Sequence, residues 1–524
     1  MFRFGSKKAH EPAPAAAPTT TDAVNVDVEN NVAAPRKSWK ETMLPVFACG
    51  SGLFSDGYIN NYGPVFSESS AYQNVASIAF AGIVVGQLLF GFLSDHWSRA
   101  NSLTLSTVIL IVFTALATGS YWKGDAVGMF NILTAWRFFV GVGIGGLLSL
   151  PPQYPCASDN GRGEREKSAN SNKTTGEYPA GSVGAAESTG ELKAGTRHRW
   201  FILFTNTMIN GGFVMGAFMP FVIAAGAKNY ETMWRAALGV GVIFPLVLLY
   251  LRFKLEEPED FNKNSMRRHT PYRLVLKFYG FRLFCVSLIW FLYNFSVYAF
   301  GIYSSTIVSG IYGRKDGRDA PLTQVFGWNT VINMFYLPGS VLGAFVSDWI
   351  GPKHALALGV AAQALVGFVM AGVYARISQH VAAFAVVYGV FLSLGEIGPG
   401  NNIGLLAAKT CATGVRGRYY GIAAAVGKVG AFVGAWVFPL ISKAGGSETE
   451  SAQYPFWVAS SLCVVSAVIT LTLVPTVGQD TIGKEDERFR AYLESKGWDT
   501  TQLGEGKAES NSPEAVVEKV AEKR

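Results

Sequence analysis

The feature that most constrains this chain is a series of apolar runs, each close to the roughly 20 residues an α-helix needs to cross a bilayer. They recur near 43–65, 73–94, 101–121, 130–146, 200–224 and 233–253, and again near 283–308, 326–347, 355–375, 381–407, 419–441 and 456–475. Backbone inside hydrocarbon has no water to bond to, so such runs must fold as helices that satisfy their own amides. The expectation is an all-α membrane protein with twelve transmembrane helices, arranged as two pseudo-symmetric six-helix bundles. Composition agrees, since 49% of the 524 residues are hydrophobic and only 15% are charged. That is too few charges for an ordinary soluble enzyme.

The runs divide the chain into a tail at 1–40, a first bundle at 41–255, a central loop at 256–281, a second bundle at 282–476 and a charged tail at 477–524. Both tails read as disordered or loosely helical. No apolar h-region with a processing site lies in Met1 to Ala34, so no cleaved leader is expected there. The five cysteines have no paired spacing, which points to packing rather than a disulfide framework or a zinc site. No metal or cofactor is expected. The net charge of +7 is spread through loops rather than gathered in one patch, so it reads as topology and not as a nucleic-acid surface. Sixteen lysines and arginines fall in the even-numbered loops and seven in the odd-numbered ones, which orients both termini toward the cytoplasm.

The two halves resemble each other when slid together. Arg197-His198-Arg199-Trp200, Phe213-Val214 and Pro220 fall on Arg416-Gly417-Arg418-Tyr419, Phe432-Val433 and Pro439 at one offset of 219, which also sets Glu177 on Glu396 and Gly181 on Gly400. Such repeats are expected of transporters built from paired bundles. Upstream, Gly146 falls on Gly395 only at an offset of 249, so thirty residues, 147–176, are extra in the first half. They carry Pro151-Pro152 and the charged run Arg162 to Lys167 into the middle of span 4. Such a sequence cannot face lipid. It is either a translated retained intron or a loop extruded through a broken helix, and removing it joins Gly146 to Glu177.

Between spans 2 and 3 stands Gly91-Phe92-Leu93-Ser94-Asp95, closed by Ser98-Arg99, and between spans 8 and 9 a degraded copy, Ser347-Asp348 followed by Gly351-Pro352-Lys353. A turn that sets a carboxylate at one helix end and a cation beside it can serve as a charge latch. An ordinary basic turn would look similar, but two copies at matching places favour the latch. Ionisable residues inside the spans are costly and mark pathways. Here they are Asp56, Arg137, Glu177, Glu187, Glu396 and Lys428. At 1.5 Å per residue, Lys428 lies ~15 Å beyond Arg418 and position 294 lies ~18 Å beyond Arg282, both near the midplane. Asp56 and Glu177, also well inside, can carry protons. A lysine at that depth suits an anionic solute, although it could instead be structural glue for a buried acid. Glu187 and Glu396 read as gate or latch residues, and Arg137 as a partner for an acid of span 1 or 4. The glycines at 141, 143, 145 and 146 follow no strand and lack a Gly-Lys-Ser/Thr ending, so they mark helix packing rather than a nucleotide loop.

The paired loops resemble the loop signature of the major facilitator superfamily. More specifically, Arg137 with Gly141, Gly143, Gly145 and Gly146, resumed at Glu177-Tyr178-Pro179, is similar to span 4 of the superfamily's proton-coupled phosphate symporters, and Trp290 and Gly427-Lys428-Val429-Gly430 are similar to their spans 7 and 11. Leu53 to Asn61, Glu257-Pro258-Glu259 and Gly301 to Ser305 are most similar to fungal glycerophosphoinositol or glycerophosphodiester permeases. The resemblance covers about residues 40–500 apart from the extra segment. It implies that Asp56 and Glu177 lie on a proton path and that Tyr178, Trp290 and Lys428 contact a phosphoryl group, with Asn210 a weaker hydrogen-bonding candidate. One departure matters. Where the phosphate symporters have an aspartate in span 7, this chain has Asn294, whose amide bonds but takes no proton. The expected function is proton-coupled import of a phosphate-bearing solute, inorganic phosphate or a glycerophosphodiester, across the plasma membrane by a monomer. A sugar or organic-acid porter and a non-transporting nutrient receptor are the alternatives. No nucleophile and base constellation suggests an enzyme.

Overall fold

Eleven of the twelve apolar runs fall on helices of a computed structural model that describes residues 70–96, 99–122, 126–147, 195–226, 229–252, 270–316, 321–478 and 481–500. All belong to one compact unit, Trp39–Arg524. The first run, residues 148–176 of the extra segment and Asp56, Glu177, Tyr178 and Glu187 lie outside the described residues. Regular structure within them is entirely helical. Spans 2, 3 and 4 are Ser70–His96, Arg99–Thr118 and Ala126–Leu147. Span 5 is Arg197–Phe204 continued by Asn206–Gly226, and span 6 is Tyr230–Arg252. Spans 5 and 11 both begin at the arginine picked out by the internal repeat, Arg197 and Arg416.

In the second half, span 7 is a 45-residue helix, Tyr272–Asp316. At 1.5 Å per residue it is ~67 Å long, well beyond the hydrocarbon thickness of ~30 Å. It starts eleven residues before its apolar run, because Phe278 and Tyr279 find aromatic partners outside the bundle. Span 8 is Leu322–Met334 continued by Tyr336–Ile350, and span 9 is Pro352–Gly372. The turn between them is dictated locally. Gly351 takes φ 81°, a left-handed value that stops span 8, and Pro352 opens span 9 at a position where its missing N–H costs nothing. Span 10 runs Val381–Gly395, a π turn Glu396–Gly400, and Asn401–Lys409. Gly398 is non-helical there (φ −87°, ψ −105°) and Pro399 lacks a backbone donor, so the helix kinks beside Glu396. Spans 11 and 12 are Arg416–Lys443 and Glu448–Leu473.

Small residues set the packing within each half. A Cβ on Gly82 or Gly86 would collide with the span 4 carbonyls of Phe138 or Val142, and one on Gly141 or Gly145 with those of Ala79 or Ile83 in span 2. Spans 2 and 4 therefore meet backbone to backbone through two reciprocal Gly-x3-Gly pairs, as the glycine run predicts. Outward faces carry large apolar side chains such as Phe284, Leu365, Leu440 and Val468, each more than half exposed. Only lipid makes such a surface economical.

The charged tail departs from the expectation of loose structure. Thr481–Ser495 is an amphipathic helix docked on the end of the bundle where Arg197, Asp348 and Arg416 lie, here termed the basic end. Phe489 and Leu493 join Tyr279, Cys411, Ala412, Val415 and Tyr419 in one buried cluster. Asp486 accepts bonds from Thr413 N at 2.6 Å and Thr413 Oγ1 at 2.7 Å. Buried Glu485 (3% exposed) pairs with Arg282 at 2.6 Å and more loosely with Arg488 at 3.4 Å. The composition hid this helix, since its one apolar stripe is short and surrounded by charge. Arg282→Ala strands most of a buried carboxylate's partnership and is expected to cost about 2–3 kcal/mol, below the ~3–5 of a fully broken buried pair because Arg488 remains. Arg488→Ala, at the exposed partner, costs under about 1 kcal/mol. Thermal unfolding of the two variants in detergent checks the order.

Candidate functional site

Two polar clusters lie between the halves, and a third closes the basic end. The first surrounds Lys428. Gly427 allows span 11 to approach span 7 so closely that a Cβ there would stand 2.7 Å from Trp290 Cδ1 and 3.1 Å from Asn294 Nδ2. Spans 7 and 11 thus bring Trp290 and Asn294 against Gly427, next in sequence to Lys428, all of them singled out by sequence. Lys428 is half-buried and faces the first half rather than lipid. Its ammonium donates to Tyr298 Oη, stands over the Tyr298 ring and lies 5.9 Å from the ring of Phe80 in span 2. Asn294 is 2% exposed, and its Nδ2 donor has no partner among the described residues. A buried amide donor left open one helical turn from the tyrosine that holds the ammonium is a feature that calls for an acceptor.

The second cluster centres on Glu396, 4% exposed at the kink of span 10. Its Oε2 accepts from Asn206 Nδ2 at 2.5 Å and Asn210 Nδ2 at 2.8 Å, both on span 5, while Oε1 accepts from Tyr293 Oη of span 7 at 3.1 Å. Asn206 Nδ2 also donates to Asn401 Oδ1 at 2.7 Å, and Asn401 Nδ2 to the Ser340 carbonyl of span 8 at 2.8 Å. Spans 5 and 7, from opposite halves, thus share the carboxylate of span 10, and Asn401 ties the cluster to span 8. Asn210, expected as a solute ligand, points its Nδ2 at Glu396 and keeps Oδ1 unpartnered among the described residues.

The third cluster closes the basic end. Arg199 of span 5 donates its backbone N–H to Asp348 Oδ1 at 3.2 Å and holds its guanidinium 3.8 Å from Oδ2. His198 reaches the Ser347 carbonyl at 3.4 Å and the Gly478 carbonyl at 3.3 Å. Asp348, read from sequence as a latch residue, therefore ties span 8 to the opposite half. Arg418, the counterpart of Arg199 in the repeat, stands over the ring of Phe92 at 5.8 Å. The side chains of Asp95 and Arg99 lie outside the described residues. Arg137 is buried on span 4, one turn before Gly141.

Sequence reading missed Asn206, Tyr293, Tyr298 and Arg199. A signal existed for the first, since Asn206 and Asn210 are two amides one helical turn apart in an otherwise apolar run. Arg199 was visible as a topology charge and as a member of the internal repeat, but not as the partner of Asp348.

Residues 23–159 and 259–489 match the model of the family described as sugar (and other) transporter. The chain belongs to that family, within the major facilitator superfamily. This transporter is 43% identical over 498 residues to the glycerophosphodiester transporter GIT2 of Candida albicans, covering 91% of this chain and 87% of the relative. It is 43% identical over 486 residues to the major glycerophosphoinositol permease GIT3 of the same organism, covering 89% and 84%. Its fold matches the proton:xylose symporter XylE with a TM-score of 0.65 at 14% identity, covering 86% of this chain and 98% of that one. The transporter is an integral multi-pass membrane protein, and its relatives are transporters rather than enzymes.

The site's geometry separates two kinds of glycine. A Cβ at Gly434 would collide with the Phe295 carbonyl, which is backbone and cannot yield, whereas at Gly427 it meets the side chains of Trp290 and Asn294. Gly434→Ala is expected to destabilise the transporter by about 1–3 kcal/mol. Gly427→Ala, by contrast, keeps most of the stability and displaces the indole. Thermal unfolding together with tryptophan fluorescence distinguishes the two, and equal loss of stability would contradict this packing.

Proposed function

We propose that the transporter imports a glycerophosphodiester, with inorganic phosphate as the alternative solute, by proton-coupled alternating access. The observation that carries this reading is the half-buried ammonium of Lys428, held at Tyr298 and turned toward span 2, with the open amide of Asn294 one turn and the indole of Trp290 two turns along span 7. A phosphodiester carries one negative charge and several acceptor oxygens, which an ammonium and an amide donor together satisfy. The organic substituents need a larger and partly apolar surround, and the 43% identity to a glycerophosphodiester transporter and a glycerophosphoinositol permease favours them over the bare ion.

In this reading residues 41–255 and 282–476 are the two rocking bodies, joined by the loop at 256–281. Asp56 and Glu177 take up protons, Tyr178, Trp290 and Lys428 hold the phosphoryl group, and Asn210 and Asn294 add hydrogen bonds. The basic end is cytoplasmic, as are both termini, and the protein works as a monomer in the plasma membrane. The contact of Arg199 with Asp348, with Asp95 and Arg99 at the matching place in the first half, is a latch that opens as the cytoplasmic side opens, and Arg137 and Glu187 belong to the same gating set. Protons lower the negative charge around the site, letting an anion bind from outside, and both leave where the pH is higher.

The test is uptake of radiolabelled glycerophosphoinositol by cells expressing the chain with and without residues 147–176. Removing a charged hydrogen bond of about 1.5–3 kcal/mol predicts a ten- to hundredfold loss of affinity for Lys428→Ala. Unlabelled glycerophosphoinositol and glycerophosphocholine are expected to compete more strongly than phosphate. Full uptake by Lys428→Ala would remove the anion anchor, and competition by hexoses but not by phosphate esters would make this a sugar porter.

A further inference from the structure

The cluster around Glu396 does more than hold the halves together. Its three partners, Asn206 Nδ2, Asn210 Nδ2 and Tyr293 Oη, are all donors in this arrangement. No lysine or arginine among the described residues stands within ion-pair distance of the carboxylate. The titratable groups facing it are phenols, Tyr293 on span 7 and Tyr336 on span 8, with Tyr298 of span 7 next to both. Span 5 presents only the two amides, and span 9 packs on the kink through Gly359 against Gly398. The nearest cation along span 10, Lys409, is thirteen residues on, ~20 Å away, and His198 on span 5 is eight residues from Asn206, ~12 Å away. Lys428 of span 11 is bonded to Tyr298, so among the described residues the carboxylate itself is held by dipoles, at the seam between the halves.

Such a site has two states of different cohesion. The carboxylate accepts from span 5 at both amides. A proton bound to Oε2 turns that oxygen into a donor facing two donors, so at least one bond to span 5 breaks. The acceptor left to satisfy the new O–H is Asn210 Oδ1, which is unpartnered now and becomes available when the amide turns over. Span 7 offers no acid at the neighbouring position, where Asn294 cannot take a proton.

We propose that Glu396 is the proton-carrying residue of the second half, and that its protonation loosens the bonds from span 5 to span 10 so that the halves can separate. The proton comes from the side of lower pH, binds the carboxylate and leaves to water on the other side after the change of access, with no other chemistry. This rests on the reading of the protein as a proton-coupled transporter, and it adds a coupling group at the seam to the acids of the first half.

The test uses the full chain in proteoliposomes with radiolabelled glycerophosphoinositol. Accumulation under an imposed pH gradient is compared with exchange of internal for external solute, which needs no net proton movement. A coupled proton yields about tenfold accumulation per pH unit. Glu396→Gln keeps the size and an acceptor oxygen but cannot titrate, so at least tenfold loss of accumulation is expected while exchange persists. Wild-type accumulation by the variant, or equal loss of exchange, overturns the assignment. The double variant Asn206→Ala with Asn210→Ala keeps the carboxyl and removes its donors. Its uptake-versus-pH curve is expected to move to higher pH, because the charged form loses stabilisation. An unmoved curve overturns the assignment, even where Glu396→Gln fails to fold. If the wild-type chain takes up no glycerophosphoinositol, or accumulates it without regard to the pH gradient, the functional reading itself falls and this inference with it. If only the variants behave as wild type, the functional reading stands alone.

Discussion

Hydrocarbon offers polar groups nowhere to go but inward, and the architecture of this transporter follows from where they were put. Within each half, helices meet through glycines so closely that an added Cβ would collide with the opposing backbone, as between spans 2 and 4 and between spans 7 and 11. Contacts of that kind are van der Waals packing with no slack, so helices joined this way hold together as one. Across the seam the fit is looser. A Cβ on Gly421 would stand 3.0 Å from the Gln87 carbonyl, and one on Gly91 3.5 Å from that of Gly417. What holds the halves together instead is a set of hydrogen bonds, Asn206 and Asn210 to Glu396, Arg199 to Asp348 and Thr330 to the Ala217 carbonyl. Each contributes little net stability, about 0.5–3 kcal/mol, so the set can be exchanged for another at modest cost. Rigid bodies joined by exchangeable bonds are what alternating access requires.

Most of the fold was legible because a membrane simplifies the code. Length and hydropathy located spans 2–12, and the offset of 219 anticipated that spans 5 and 11 start at equivalent arginines. What escaped were features set by tertiary contact. Span 7 overran its apolar stretch because Tyr279 and Phe278 were covered by Phe489 and Tyr492 of the terminal helix, more than 200 residues away in sequence. That helix in turn looked like a solvated tail, since nothing local shows that Glu485 and Asp486 have partners at Arg282 and Thr413.

The site was legible in its residue types and only partly in its pairings. Trp290 and Asn294 meet span 11 at the residue before Lys428 because spans 7 and 11 are neighbours in a repeated bundle and glycine occupies position 427. Glu396 stood out in the sequence as a carboxyl in an apolar run. Its partners Asn206 and Asn210 lie 190 and 186 residues away, and no spacing rule connects them. The expected latch residue Asp348 found its cation in Arg199 of the other half rather than in its own loop, because Gly351 turns the chain directly into span 9 and carries Lys353 past it. A loop motif specifies a turn and a carboxylate, but only the packed bundle decides which cation the carboxylate meets.

Keeping Lys428 and Glu396 apart is the remaining point. Both belong to the second half, on spans 11 and 10, and a direct pair between them would be hard to part, since breaking it strands both charges in low dielectric at a cost of several kcal/mol. Here neither is the other's ion-pair partner. Lys428 donates to Tyr298, Glu396 accepts from Tyr293, and Tyr336 stands close to both phenols. Phenols suit this place, because each can donate to the carboxylate and accept from the ammonium without carrying charge. The arrangement surrounds the carboxylate with hydrogen-bond donors and gives the ammonium a phenol oxygen, without joining the two charges to each other. A direct salt bridge would satisfy the same desolvation but would tie the two charges to each other, whereas the tyrosines leave the carboxylate bonded to span 5 and the ammonium turned toward span 2.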